Sequence, residues 1–150
     1  SVQVVHAQLF NHIPSTLDPD VPNPFQRIGW RQREHGPLPK VCVRARPDVR
    51  IHMGNHGASF DGAVGPPVSG LVVRHYSWRS ESQYLRKIRN GERAYAATDY
   101  PDAVGAHWRM WAEHSDETVA GHFREWFWTA DPASDPTLIY DPIIPIEEED

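Results

Sequence analysis

The apolar residues of this chain change their rhythm about halfway along. In the first half they come as short β-branched runs, and in the second they recur at helical spacing. "VQVVHAQLF" at the start, "KVCVRA" from Lys40 and "LVVRHYS" from Leu71 read as strands. In the last of these, Leu71 and Val73 share one face, while Val72 and Arg74 share the other. "DVRIHMGNHG" reads as a further extended piece closed by Gly54, Asn55 and Gly57, and "TLIY" near the end as a small edge strand.

The helical part is signalled more sharply. Ser80 followed by Gln83 is a capping-box pattern, Tyr84, Leu85 and Ile88 form an apolar stripe, and Gly91 is the expected C-terminal stop. A shorter helical piece is expected over residues 104–113, within and beside "HWRMWAEH". Another is expected after Ser115, where Asp116 and Glu117 complement the helix dipole and Val119, Phe123 and Phe127 supply the buried face. Proline-rich loops separate these elements at residues 11–25 ("NHIPSTLDPDVPNPF"), 59–70 ("SFDGAVGPPVSG") and 131–136 ("DPASDP"). The pattern predicts an α/β chain of short strands followed by helices, with no internal repeat.

At 150 residues the chain amounts to one domain or a piece of one. The apolar strand-like opening after Ser1, with no starting methionine, leads us to expect further chain upstream. The net charge of −5 hides a basic central stretch and an acidic end, "IEEED" at residues 146–150, so an anion site remains compatible with the acidic total. Cys42 is alone, which excludes an internal disulfide and a thiolate zinc cluster, and its place in "KVCVRA" suits a buried strand residue. No apolar run reaches the roughly 18–20 residues that span a bilayer. The expected compartment is the cytoplasm, including the inner membrane surface.

Candidate chemistry gathers where "LVVRHYS" meets the Ser80-capped helix. There His75 could bind a metal through a neutral nitrogen, Arg74 and Arg79 could meet a phosphate, and the helix start at Ser80 favours anions. "HMGNHG" places His52 and His56 in a turn whose glycines let a ligand approach. It lacks the helix and the glutamate of a zincin motif. Asp18 and Asp20 in "LDPDVP" form an Asp-x-Asp pair within a proline-rich loop, and the loop setting is the simpler explanation of it. Trp108, Trp111, Trp126 and Trp128 are expected to pack in or beside the late helices, with one free to stack on a sugar ring. The sequence carries no glycine-rich phosphate loop, nucleophile elbow or dinucleotide fingerprint. Its basic segment lacks the aromatic spacing of an RNA-binding module, so no nucleic-acid partner is expected.

The succession "PKVCVRARPDVRIHMGNHG", "LVVRHYSWRS" and "SQYLRKIRNG" resembles the C-terminal part of family 2-like glycosyltransferases, with "AYAATDYPDAVGAHWR" matching more loosely. The resemblance implies the acceptor-side portion of a GT-A-like fold, making residues 1–150 the C-terminal segment of a larger catalytic domain. It implies transfer of a sugar from a nucleotide-diphosphate donor to an acceptor glycan or other hydroxyl compound. A divalent Mn or Mg ion would take part. His75 or His56 would be the late metal-binding histidine, Arg79 would lie near the diphosphate, and Ser80 and Lys87 would support the turn. Trp108 joins these as a substrate-binding candidate. The general base and the nucleotide-binding carboxylates would lie outside this chain, and its catalytic residues are not identified. The alternatives are a non-catalytic carbohydrate- or phosphate-binding module and a structural domain without a ligand.

Overall fold

The computed structural model describes residues 4–62 and 68–143. The first three residues, the middle of the Gly/Pro loop at residues 63–67 and the acidic end at residues 146–150 lie outside the described residues.

The chain is α/β. Strand β1 (Val4–Asn11) is central to a three-stranded sheet, flanked antiparallel by β3 (Lys40–Val43) and parallel by β6 (Val68–His75). A parallel partner cannot be reached through a tight turn, so the chain between β1 and β6 makes a long excursion. That excursion holds a one-turn helix α1 (Pro24–Arg27), strand β2 (Trp30–Gln32), β3, and the small hairpin of β4 (Arg50–Ile51) and β5 (Ala58–Ser59). The "TLIY" strand forms as β7 (Leu138–Tyr140), paired antiparallel with β2. Neither β2 nor α1 is signalled in the sequence, because three and four residues are too few to establish a period.

Two apolar clusters hold these elements. Val4, Ala7, Leu9, Ile13, Ile28, Val41 and Leu138 are buried on the sheet side. Tyr84, Ile88, Val119 and Phe123 are buried between helix α2 (Glu81–Ala96) and helix α4 (Asp116–Trp126). Ser80 caps α2 by accepting from Gln83 N at 3.2 Å, and Gln83 Oε1 reaches back to Arg79 N at 3.1 Å. Ser115 caps α4 by accepting from Thr118 N at 3.2 Å. Residues 104–113 form mostly turns around the single helical turn α3 (Ala106–Arg109). Arg89 ties that region to α2, donating to Trp111 O and Asp116 Oδ1, both at 2.8 Å.

Two expectations are corrected. Helix α2 does not stop at Gly91 but runs to Ala96. Gly91 is there for space, since a Cβ on it would lie 2.5 Å from Cε3 of Trp108, and α3 packs directly on the bare backbone. Cys42 is exposed, because alternation on β3 turns its neighbour Val41 into the core instead.

Candidate functional site

A cavity of about 710 Å³ opens between the end of β6, the β4–β5 hairpin and helices α2 to α4. His56, His75, Lys87 and Trp108, which come from four separate stretches of sequence, all line it. Lys40, at the start of β3, lines it as well.

Each residue arrives for a local reason. Parallel pairing with β1 brings His75 opposite Asn11, and His75 Nδ1 lies 2.8 Å from Asn11 Oδ1. Asn11 Nδ2 donates to Gln32 Oε1 at 2.9 Å, so its oxygen faces the imidazole and accepts from Nδ1–H. Ser77 Oγ lies 2.7 Å from Nε2 and 2.8 Å from Nδ1 of the same ring. A hydroxyl on one nitrogen's lone-pair axis would be far from the other nitrogen, so Ser77 sits off-axis. It does not form the in-line bond of a serine nucleophile to its base.

His56 is set by the "HMGNHG" turn. Gly54 takes the left-handed conformation at φ 73°, and a Cβ there would lie 2.6 Å from the His56 ring, so both the turn and the ring need glycine. His56 Nδ1 donates to Pro39 O at 2.8 Å, and Lys40 Nζ donates to Gly54 O at 2.6 Å. His52, by contrast, is exposed and does not line the cavity. On α2, helical spacing sets Lys87 beside Tyr84, Ile88 and Gly91 on one face. Its ammonium rests 4.1 Å from the centroid of the Trp78 ring.

The charges at this end act on one another. Burial first, then Lys87, Lys40 and His56, hold His75 below the ordinary histidine range. Burial, Arg79 and Lys40 lower Lys87. Among the described residues no aspartate or glutamate lines the cavity. Two ammonium groups, with no carboxylate among the described lining residues, favour an anion.

That donor set is incomplete for Mn or Mg, which prefer oxygen ligands. Among the described residues no three His, Cys, Asp or Glu side chains converge. A divalent ion here would need its remaining ligands from a bound diphosphate or from outside the described residues.

Arg79 and Ser80 stand elsewhere. They line a separate cavity of about 450 Å³ together with Asp18, Asp20 and Arg27, under the N-terminus of α2. Arg27 Nη2 donates to Arg79 O at 2.6 Å, and Asp18 accepts from Ser15 Oγ at 2.9 Å. The Asp-x-Asp pair thus lies with Arg79 and not with the histidines. Arg74 is also committed elsewhere, bonding Asp141 at 2.7 Å.

Lys40, His107 and His122 are among the lining residues that no motif in the sequence marks for the site. His122 has a visible signal, since it falls at a core-facing position beside Val119 and Phe123 where an apolar residue is expected. Lys40 opens a strand and carries no pattern of its own.

No family model, curated protein or solved structure matches the chain. Among the described residues no helix is long and apolar enough to cross a membrane.

Proposed function

We propose that this chain is the acceptor-side part of a GT-A-type glycosyltransferase, and that the cavity between β6 and α2 receives the diphosphate of a nucleotide-sugar donor. The observation that supports the reading is the convergence of His56, His75, Lys87 and Trp108 on one cavity, four positions marked by the motif order and distant in sequence.

In this reading Lys40 and Lys87 face negative charge that grows on the diphosphate as the sugar leaves. A fixed cation inside a partly enclosed cavity stabilises that charge more than it stabilises the intact donor, which is the condition for accelerating transfer. The His56 and His75 rings each have Nδ1 held by an oxygen, so Nε2 is the nitrogen left for a ligand. A Mn or Mg ion, when present with the donor, would neutralise phosphate charge. The acceptor is a glycan or other hydroxyl compound, and the compartment that goes with such a donor is the cytoplasm.

A cavity wall whose described residues include no carboxylate also favours a second reading for this stretch taken alone, a phosphate- or carbohydrate-binding module without its own general base. Calorimetric titration of uridine and guanosine diphosphate, with and without Mn²⁺, tests the site. Binding to the wild type that weakens at least about tenfold in Lys87→Met, the loss of roughly one charge-assisted hydrogen bond, supports it. No heat with either nucleotide under either condition would refute the donor reading. Binding of inorganic pyrophosphate without preference for a nucleotide would favour the module.

A further inference from the structure

The cavity has a second end whose chemistry differs from the first. His122 on α4 lies among aromatic rings, 4.5 Å from Trp111 and 5.5 Å from Phe127 by centroids, and the acidity of its ring responds to burial and Glu125 rather than to either lysine. Tyr84 is 1% exposed, and its hydroxyl lies 2.7 Å from His122 Nδ1.

Burial pushes the Tyr84 phenol up to about 12, so it keeps its proton at neutral pH. Its hydroxyl has no other partner among the described residues, so it donates to His122 Nδ1. The neutral imidazole then carries its own proton on Nε2. His75 holds the opposite tautomer, because its Nδ1–H donates to Asn11 Oδ1. One cavity thus has a nitrogen lone pair on His75 at its cationic end and an N–H donor on His122 at its aromatic end. No protein group among the described residues accepts from that N–H.

We propose that the aromatic end is a saccharide subsite, where a sugar ring lies against Trp111 and one of its hydroxyls accepts a hydrogen bond from His122 Nε2. This deepens the transfer reading above and rests on it for the ligand being a sugar. An alkyl chain would leave the N–H without a partner, a desolvation cost that a hydroxyl avoids. A flat nucleobase prefers parallel faces, and here the Trp111 and Phe127 rings are inclined at 52° and 70° to the imidazole. A pyranose can rest its C–H face on one ring while directing an equatorial hydroxyl toward the next.

The test uses the whole chain with ¹⁵N-labelled histidine. Long-range ¹H–¹⁵N spectra should find His122 as the Nε2–H tautomer and His75 as Nδ1–H. Titration with methyl α-mannopyranoside, methyl β-glucopyranoside and methyl β-galactopyranoside should shift the His122 resonances for at least one of them. Tyr84→Phe keeps the ring but frees the tautomer, and should weaken that binding about fivefold to tenfold, one hydrogen bond's worth. His122→Gln serves as a second variant if Tyr84→Phe fails to fold. Inorganic pyrophosphate should still shift His75 in either variant. If all three glycosides leave His122 unmoved while pyrophosphate shifts His75, the subsite is overturned and the donor reading stands. If uridine shifts His122 and the glycosides do not, the subsite is overturned in favour of a base. If pyrophosphate fails and a glycoside binds, the donor reading falls and the saccharide subsite stands.

Discussion

His12 should make this chain lose stability in mild acid, well before its carboxylates are neutralised. The ring is 1% exposed, stacks on Tyr76 at 4.2 Å, and donates through Nδ1 to Ile28 O at 3.2 Å, while Nε2 is buried without a partner among the described residues. Burial, helped by Arg74 and Arg31 and opposed by the Ile28 carbonyl and Asp141, lowers its pKa from 6.5 to about 4. The folded state therefore binds the proton more weakly than the unfolded chain does. Stability contributed by keeping the ring neutral is complete above pH 6.5 and is lost as pH falls toward 4.

At roughly 1.4 kcal/mol per pH unit, the full loss is about 3 kcal/mol, of which about 2 kcal/mol has gone by pH 5. His75 and His122 are lowered too and add to the slope, while the raised Asp18 opposes it at the acid end of the window. A variant isolates the His12 share. His12→Phe keeps a ring against Tyr76, removes the titration, and exchanges one hydrogen bond for the loss of an unpartnered nitrogen. Its stability at pH 7.5 should lie within about 1 kcal/mol of wild type. In urea titrations at pH 7.5 and pH 5.0, the wild type should lose about 2 kcal/mol more than His12→Phe between the two conditions. Equal losses in both proteins would refute the assignment of a buried neutral imidazole.

Three further outcomes follow from the packing. Gly91→Ala should destabilise the chain by about 1–3 kcal/mol in urea unfolding, because the clash with Trp108 outweighs the gain of about 1 kcal/mol in helix propensity. Gly121→Ala on α4 meets nothing within 4 Å and should instead stabilise by up to about 1 kcal/mol, so opposite signs in the two glycines test both packings together. Asp141→Ala should cost about 2 kcal/mol and lower the thermal midpoint, since Asp141 bonds Arg31 at 2.6 Å and Arg74 at 2.7 Å across three segments, and both half-buried guanidiniums would lose their partner.

Long periodic segments were legible in the sequence and short or packing-dependent ones were not. The Ser80 and Ser115 caps and the Tyr84–Ile88 and Val119–Phe123 stripes are local signals, and each produces the helix it predicts. Gly91 misleads because a glycine that ends a helix and a glycine that admits a neighbouring indole look identical without the partner. The same holds at the site. His56, His75, Lys87 and Trp108 can be picked out as residue types at suggestive places, but their meeting depends on the parallel β1–β6 pairing and on α3 lying over Gly91. Arg79 is adjacent to Ser80 and close to His75 in sequence, yet the helix start turns it toward Asp18 and Arg27 on another face. The tautomers of His75 and His122 follow from Asn11 and Tyr84, neighbours that no spacing rule joins to them.

The central claim is that a diphosphate belongs in the histidine–lysine cavity and not beside Arg79. Titrating the full chain with inorganic pyrophosphate, while recording the imidazole signals of His56 and His75 and the guanidinium Nε signals of Arg27 and Arg79, tests it most directly. The account predicts saturable shifts of both histidines that vanish in Lys87→Met, with the arginine signals unmoved. Saturable shifts confined to Arg27 and Arg79, with His56 and His75 unchanged, would contradict it.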